Sequence, residues 1–344
     1  MKIKNKIELE LAGYIRKADK LYSLSRISPV LFNHIREFIS RKGKRVRPIL
    51  FVISYLGFTK QPAIGLYRSA VSLELLHDFL LVHDDIIDKS ALRRGQPSMH
   101  AMLNKYLMNY KNIKFDGEDL TIVIDDIMYA MALDAFLSVK EDLLRKELAL
   151  RKLIQAAFYT GSGEFIELLY GLKNVDQITQ EDIYRIYDYK TANYTFATPL
   201  CMGAILAGAK KAQIDKLLNY GIYFGRAFQI KDDIIGLFGK EGEIGKSNLT
   251  DLQEAKKTIL VWYAYHHSGS KNKSAIRRIL AKTDIDRTDL LKMRCIIADS
   301  GTLDYAKQEI NALIKKAQSL NACFQMRAEY KNALFSYSKE LMDL

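Results

Sequence analysis

The chain has 344 residues, 49% of them hydrophobic, with 19 glycines and only 5 prolines, so it can bury a sizeable core and carries few helix breakers. Its 52 Lys and Arg against 40 Asp and Glu leave a net charge of +12, which fits nucleic acid, an anionic membrane or a small polyanion as partner, beside the plain reading of a solvated surface. Three scattered cysteines, Cys201, Cys295 and Cys323, form no CxxC pair and argue against a thiolate metal cluster or a disulfide framework; they read as small core residues.

The opening stretch, MKIKNKIELELAGYI, alternates charge with apolar residues and has no signal-type apolar centre, so a cytoplasmic setting is expected. Apolar residues then recur at three- and four-residue spacing over 6–20, 28–40, 47–57, 65–90, 119–139, 143–172, 180–209, 210–238, 251–267, 285–317 and 321–341, which predicts a helix over each. Loops are predicted at 58–64, 90–98, 173–179, 239–250 and 268–273, and 109–118 reads as a surface insertion. No stretch alternates with a period of two between turn signals, so no sheet is expected. No uninterrupted apolar run is long enough to span a bilayer, so no stable membrane insertion is expected. Without a Pro/Gly/Ser linker or a shift in composition, the reading is a single all-α domain over 1–344.

Two places carry chemistry that helix formation does not explain. Asp84, Asp85 and Asp88 follow the apolar run LELLHDFLLVH, with Asp84 and Asp88 one helical turn apart. Like charges at that spacing repel, and a helix C-terminus disfavours anions. A hard cation shared with substrate phosphates, magnesium above all, would relieve the repulsion. Alone, such a run is equally an acidic helix end paired with Lys89, Arg93 and Arg94. The second place shifts the balance: QIKDDIIG at 229–236 echoes LVHDDIID at 81–88, with Asp232 and Asp233 again ending an apolar helix. Cations sit beside both runs, Arg93 and Arg94 after the first and Lys246 and Lys256 after the second, and KGKRVRP upstream adds Lys44, Arg45 and Arg47. Arg suits bidentate and Lys point-charge contact with phosphate. Acid alternating with base would repel a bare phosphodiester backbone, so a small diphosphate with magnesium fits and nucleic acid does not.

Together these motifs resemble the trans-isoprenyl diphosphate synthases, the polyprenyl synthetase family, over about 30–340. KGKRVRP resembles the family's GGKRxRP. HDFLLVHDDIIDKSALRRGQPSMH resembles the first aspartate-rich motif with its trailing RRGxPxxH. YKTANYTFATPL resembles the Lys-Thr segment, FQIKDDIIGLFG the second aspartate-rich motif, and GKSNLTDLQEAKKTI the GKxxxxDLxEGKxT tail. The resemblance implies an antiparallel helical bundle of the isoprenoid synthase type with a central cavity. It also implies condensation of isopentenyl diphosphate with an allylic diphosphate (dimethylallyl, geranyl or farnesyl), three magnesium ions, and a homodimer. Carried over residue by residue, Asp84, Asp88 and Asp232 hold magnesium, with Asp85 and Asp233 in support. Arg93, Lys190, Lys246 and Lys256 contact the allylic diphosphate, and Thr191 and Gln229 stabilise the developing allylic cation. Lys44, Arg47, His77 and Arg94 bind isopentenyl diphosphate. His83, His266 and His267 receive no role.

The chain departs from the pattern at several positions. Gly236 stands where many members have a third aspartate, Lys42 replaces the first glycine of GGKR, and Glu164 and Glu167 replace Gln and Asp. Asp125 replaces the glycine of a Gly-Asp pair, Ser247 stands where Pro is frequent, and Ala255 where Gly is frequent. These bear on fine geometry and rate more than on reaction class. Phe79 and Leu80, five and four residues before Asp84, are the candidate chain-length residues. An aromatic five residues before an uninterrupted DDxxD resembles archaeal-type geranylgeranyl diphosphate synthases, so a twenty-carbon product is expected, with farnesyl or longer polyprenyl products as alternatives. The plain reading of Phe79 is ordinary core. A terpene cyclase or a non-catalytic partner subunit on the same fold are the competing readings. DDIIG and KGKRVRP speak against the cyclase, and the intact aspartate and RR motifs against the subunit.

Overall fold

The computed structural model describes residues 2–239 and 248–343, so Lys246, Ser247 and most of the expected loop 239–250 lie outside the described residues. The chain folds as two compact units. The first comprises the chain up to Leu153 together with Pro199–Ala209, and the second comprises Ile154–Thr198 and the chain from Lys210 onward.

In the first unit, α1 (Lys2–Tyr22), α2 (Leu24–Ile27), α3 (Pro29–Ile39) and α4 (Val46–Phe58) lead to α5 (Leu66–Ile87). Helix α3 starts where Ser28 accepts a hydrogen bond from the Leu31 N–H and Pro29 fills a position that needs no donor. Helix α5 is buried around its first four turns, among α1, α4 and α7 (Gly117–Phe136), which marks it as the centre of this unit. Its Ser72 hydroxyl returns to the Ser69 carbonyl and Ser69 donates to the Phe136 carbonyl, so these buried polar groups are satisfied. An Asp116–Asp119 capping box opens α7.

Two features of this unit differ from the sequence expectation. Within the predicted loop 90–98, β1 (Leu92–Arg93) and β2 (Gln96–Pro97) pair antiparallel, Leu92 opposite Pro97. Arg94 and Gly95 both take positive φ, 57° and 72°, as a two-residue mirror-image hairpin turn requires. Two residues per strand are too few to show a period. Helix α6 (Met99–Leu107) follows, buried at Met99, Leu103 and Leu107, a four-residue spacing too brief to stand out beside the polar run after it.

Helix α8 (Leu143–Gly171) contributes its start to the first unit and the rest to the second. The second unit holds α9 (Gln180–Ile186), a π-helix (Tyr187–Ala197), α11 (Lys211–Phe238), α12 (Thr250–Gln253), α13 (Ile259–His266), α14 (Ser270–Leu280), α15 (Arg287–Asp299), α16 (Thr302–Ala322) and α17 (Ala328–Asp343). The short α10 (Thr198–Leu206) runs on directly from the π-helix, and all but Thr198 of it belongs to the first unit. Ile230, Ile259, Leu260, Ala264, Ile276, Met293 and Ile297 are core residues of the second unit.

The predicted helix 180–209 is therefore three segments, with the Thr198 N–H bonded to the Asn193 carbonyl, five residues back rather than four. The predicted helix 285–317 breaks at Gly301, whose φ of +73° ends one helix and opens the next. The predicted helix 251–267 breaks between Gln253 and Ile259, and α14 occupies much of the predicted loop 268–273 because Ala275, Ile276 and Ile279 supply a buried stripe to an otherwise polar run. Helix α17 starts only at Ala328, later than expected. Of the cysteines, Cys201 alone is buried; Cys295 and Cys323 are exposed.

The π-helix seats on α11 through glycine. A Cβ on Gly225 would stand 2.5 Å from both Cα and Cβ of Ala192, and one on Gly221 would stand 2.4 Å from the Ala197 Cα. On Gly13 of α1 a Cβ would meet nothing within 4 Å. Gly225→Val should therefore cost about 3 kcal/mol by overpacking, whereas Gly13→Ala should gain up to about 1 kcal/mol from helix propensity. Urea unfolding midpoints of the two variants, moving in opposite directions from the parent, check both.

Candidate active site

Helix α5 delivers the first aspartate run. Asp84 and Asp85 ride its last turn, and Asp88 follows it, its N–H on the Asp84 carbonyl at 2.8 Å. The Asp84 and Asp88 side chains place oxygens within 4.8 Å of each other. Arg93, on the first strand of the hairpin, turns back onto the run. Its Nε donates to Asp85 Oδ1 at 2.7 Å and its Nη2 to Asp84 Oδ2 at 2.8 Å. Burial pushes the Asp85 carboxyl up to about 6, against the pull of Arg93. Asp85 Oδ2 has no hydrogen-bond partner among the described residues. Two adjacent carboxylates with a half-satisfied third behind them, oxygen donors throughout, suit magnesium.

The KGKRVRP segment divides its cations. Lys44 is exposed. Arg45 is buried, with its guanidinium on Glu74 at 2.6 Å, Glu8 at 2.9 Å and the Arg41 carbonyl at 2.8 Å, so it holds the fold together. Arg47 lies on the first turn of α4. The His77 imidazole is held well below its usual range by burial and by the charges of Arg47, Arg94, Arg93 and Arg45, so it is neutral. Arg94 approaches Asp78 at 3.4 Å and Glu74 at 3.8 Å. The structure thus brings Arg47, His77 and Arg94 into one electropositive neighbourhood.

Phe79 and Leu80 are half-buried on α5. The Phe79 ring lies 4.8 Å from the His83 ring and 5.1 Å from the Tyr129 ring, centroid to centroid. His83 Nδ1 is ion-paired with Asp125 of α7, a pairing that joins residues far apart in sequence and was not visible there.

In the second unit, Thr191, Gln229 and Asp233 form a chain. The Thr191 hydroxyl donates to Gln229 Oε1 at 2.7 Å, and Gln229 Nε2 donates to Asp233 Oδ1 at 2.9 Å. Asp233 Oδ2 accepts from the Tyr187 hydroxyl, which itself accepts from the Ile259 N–H at 2.9 Å. Burial pushes Asp233 up to about 8, opposed by the Tyr187 and Gln229 hydrogen bonds. Tyr187 is a residue the sequence reading missed; within a Tyr-rich stretch nothing distinguished it. Asp232 is exposed while Asp233 is buried, one carboxylate turned outward and one held. Lys190 reaches Glu164 at 2.6 Å and Glu167 at 2.7 Å, the two positions noted above as departures. Lys256 pairs with Glu254 and lies 3.8 Å from Asp251. Gly236 has a neighbour in place of a side chain, since a Cβ there would stand 3.0 Å from Asp251 Oδ2.

An all-helical fold carrying two aspartate runs with cations beside them defines a diphosphate-handling helical enzyme. The polyprenyl synthetase family model matches residues 28–296. Among relatives, the geranylgeranyl diphosphate synthase of Saccharolobus solfataricus is 31% identical over 77% of this chain and 75% of its own length. The geranylfarnesyl diphosphate synthase of Aeropyrum pernix is 30% identical over 89% of each. A solved structure, geranylgeranyl pyrophosphate synthase from Corynebacterium glutamicum complexed with isoprenyl diphosphate and magnesium, superposes with a TM-score of 0.88 at 25% identity, covering 99% of this chain and 98% of that one. The chain belongs to the polyprenyl synthetase family, the trans-isoprenyl diphosphate synthases, and is a prenyl-transferring enzyme. The cyclase and partner-subunit readings are not favoured by these relatives. No helix among the described residues is long and apolar enough to cross a membrane.

Ala255 holds a φ of +52°, the left-handed region, where the family motif has glycine. A side chain there costs about 1 kcal/mol. Ala255→Gly should therefore raise stability by up to about that amount, read as an upward shift in the denaturant midpoint at unchanged slope.

Proposed function

We propose that the chain condenses isopentenyl diphosphate with a dimethylallyl, geranyl or farnesyl diphosphate primer and releases geranylgeranyl diphosphate, acting as one polyprenyl synthetase-like domain in the cytoplasm. The product assignment rests on Phe79, an aromatic ring five residues before Asp84 and packed against Tyr129. A bulky ring at the foot of the apolar space for the growing chain stops growth by steric block. The relatives named as geranylgeranyl diphosphate synthases support the same length.

Asp84, Asp88 and Asp232 are the magnesium ligands in this reading, with three ions per site. When bound, the metal neutralises the diphosphate so that it departs from the allylic carbon. Arg93, Lys190, Lys246 and Lys256 hold the allylic diphosphate and take up charge on the leaving oxygen. Lys44, Arg47, His77 and Arg94 hold isopentenyl diphosphate. Thr191 commits its hydroxyl proton to Gln229, which leaves its oxygen lone pairs to face an allylic cation. Gln229 is kept from turning by Asp233. The isopentenyl alkene attacks the cation, and a proton then leaves to the released diphosphate. Water has to be kept from the cation, which it would otherwise quench.

Incubation with magnesium, isopentenyl diphosphate and farnesyl diphosphate should give a twenty-carbon diphosphate, and a chelator should abolish it. Asp84→Ala and Asp232→Ala should each lower turnover by about two orders of magnitude or more. Near-normal turnover in both variants would remove the ligand assignment, and no elongation with any primer would remove the function.

A homodimer is the assembly we propose. Its support is the apolar exposure along α8, where Phe158 and Phe165 are 72% and 64% exposed, beside Leu168 and Leu169. Light scattering should give twice the mass of the chain, and Phe158→Glu with Phe165→Glu should halve it. A parent protein that scatters as a monomer at micromolar concentration would exclude the dimer.

A further inference from the structure

The ring of Phe79 sits in a cluster of side chains on two packed helices of the first unit. Phe79 and His83 stand one turn apart on α5, and Asp125 and Tyr129 stand one turn apart on α7. Phe79 meets His83 edge-on, with a centroid distance of 4.8 Å and an interplanar angle of 67°. It meets Tyr129 at 5.1 Å and 40°. The cluster includes the His83–Asp125 ion pair. Helices α5 and α7 are the most extensively packed pair in this unit, so the four positions have a fixed frame.

Asp125 is 0% exposed, and apart from its close ionic contact with His83 neither of its carboxylate oxygens has a hydrogen-bond partner among the described residues. A buried carboxylate with so little other support is costly unless its ion partner stays in place. The pair therefore holds the imidazole, which lies against one side of the Phe79 ring while Tyr129 lies against another. Glycine at position 125 would leave His83 without this anchor.

We propose that Asp125 is a positioning residue for product length: acting through His83, and with Tyr129 on the other side, it locks the Phe79 ring across the path of the growing polyprenyl chain. This rests on the reading of Phe79 as the stop given above, and the test separates the two. Products made from farnesyl diphosphate, magnesium and excess isopentenyl diphosphate are resolved by chain length for the parent, Phe79→Ala, Asp125→Gly and Tyr129→Ala. Circular dichroism confirms that each variant is folded. The expected result is longer chains as the main product of Phe79→Ala, and a rise of about tenfold in the ratio of twenty-five- to twenty-carbon product for Asp125→Gly and for Tyr129→Ala. A general loss of stability lowers the total yield but does not move that ratio. If Asp125→Gly does not fold, Asp125→Asn removes the charge at constant volume and should move the ratio in the same direction. Lengthening in Phe79→Ala with an unmoved ratio in the Asp125 variants overturns the proposal and keeps Phe79 as the stop. An unmoved product in Phe79→Ala removes the stop itself and the positioning role with it.

Discussion

Holding carboxylates close together at the ends of apolar helices is the constraint around which this molecule is arranged. Asp85 and Asp233 lose their hydration there while Asp232 stays exposed, and within each run the like charges repel. The first run is stabilised by one forked cation. Arg93 spans Asp84 and Asp85 in a bidentate geometry that a lysine would not reproduce. Arg93 is aimed by the hairpin, and the hairpin is itself tied down by Arg41, which donates to the Pro97 carbonyl at 2.8 Å. The small sheet is therefore part of the electrostatics of α5. It places an arginine where a helix continuing past Asp88 would have carried it away.

Among the described residues, the buried member of the second run is stabilised by neutral donors and not by a cation. Asp233 draws on two neutral donors, the Tyr187 hydroxyl and the Gln229 amide, and through them on Thr191 and the Ile259 N–H. Neutral donors satisfy a buried carboxylate without adding a second charge to desolvate. The π-helix supplies both Tyr187 and Thr191 to this network. Tyr187 and Thr191, four apart in sequence, lie on one face of it and serve one network. The close glycine contacts of α11 are what allow so wide a helix to pack.

Much of this was legible in the chain. The long helices carry apolar residues at three- and four-residue spacing, and the aspartate runs announced themselves as charges that no helix needs. The motif order carried the rest of the recognition. What escaped has physical reasons. Helix α6 and the hairpin are too short for a period to emerge. The break at Gly301 depends on one residue inside a run that is apolar on both sides at helical spacing. A π-helix has nearly the residue composition of an α-helix, so composition does not separate the two. The His83–Asp125 pair and the Tyr187–Asp233 bond join residues far apart in sequence, and their partners are chosen by packing. The departures from the family pattern were visible as letters, but their partners were not: Glu164 and Glu167 meet Lys190, and Gly236 makes room for Asp251.

The basic motif shows why a run of like residues does not translate into a run of like roles. Lys44, Arg45 and Arg47 are neighbours in sequence, yet Arg45 turns inward at a φ of 56° to meet Glu74 and Glu8, while Lys44 is exposed. A left-handed residue reverses the chain direction locally, so the side chains on either side of it point apart. The buried Arg45–Glu74 pair then fixes the start of α4 against α5, and with it the separation between Arg47 and His77 on those two helices. Glu74 also lies 3.8 Å from Arg94, so one carboxylate links the residue that holds the fold to one that faces the electropositive neighbourhood. Removing Arg45 would leave Glu74 buried beside Asp78 with less positive charge to balance either. The field around His77, and not only the stability of the fold, depends on this buried arginine.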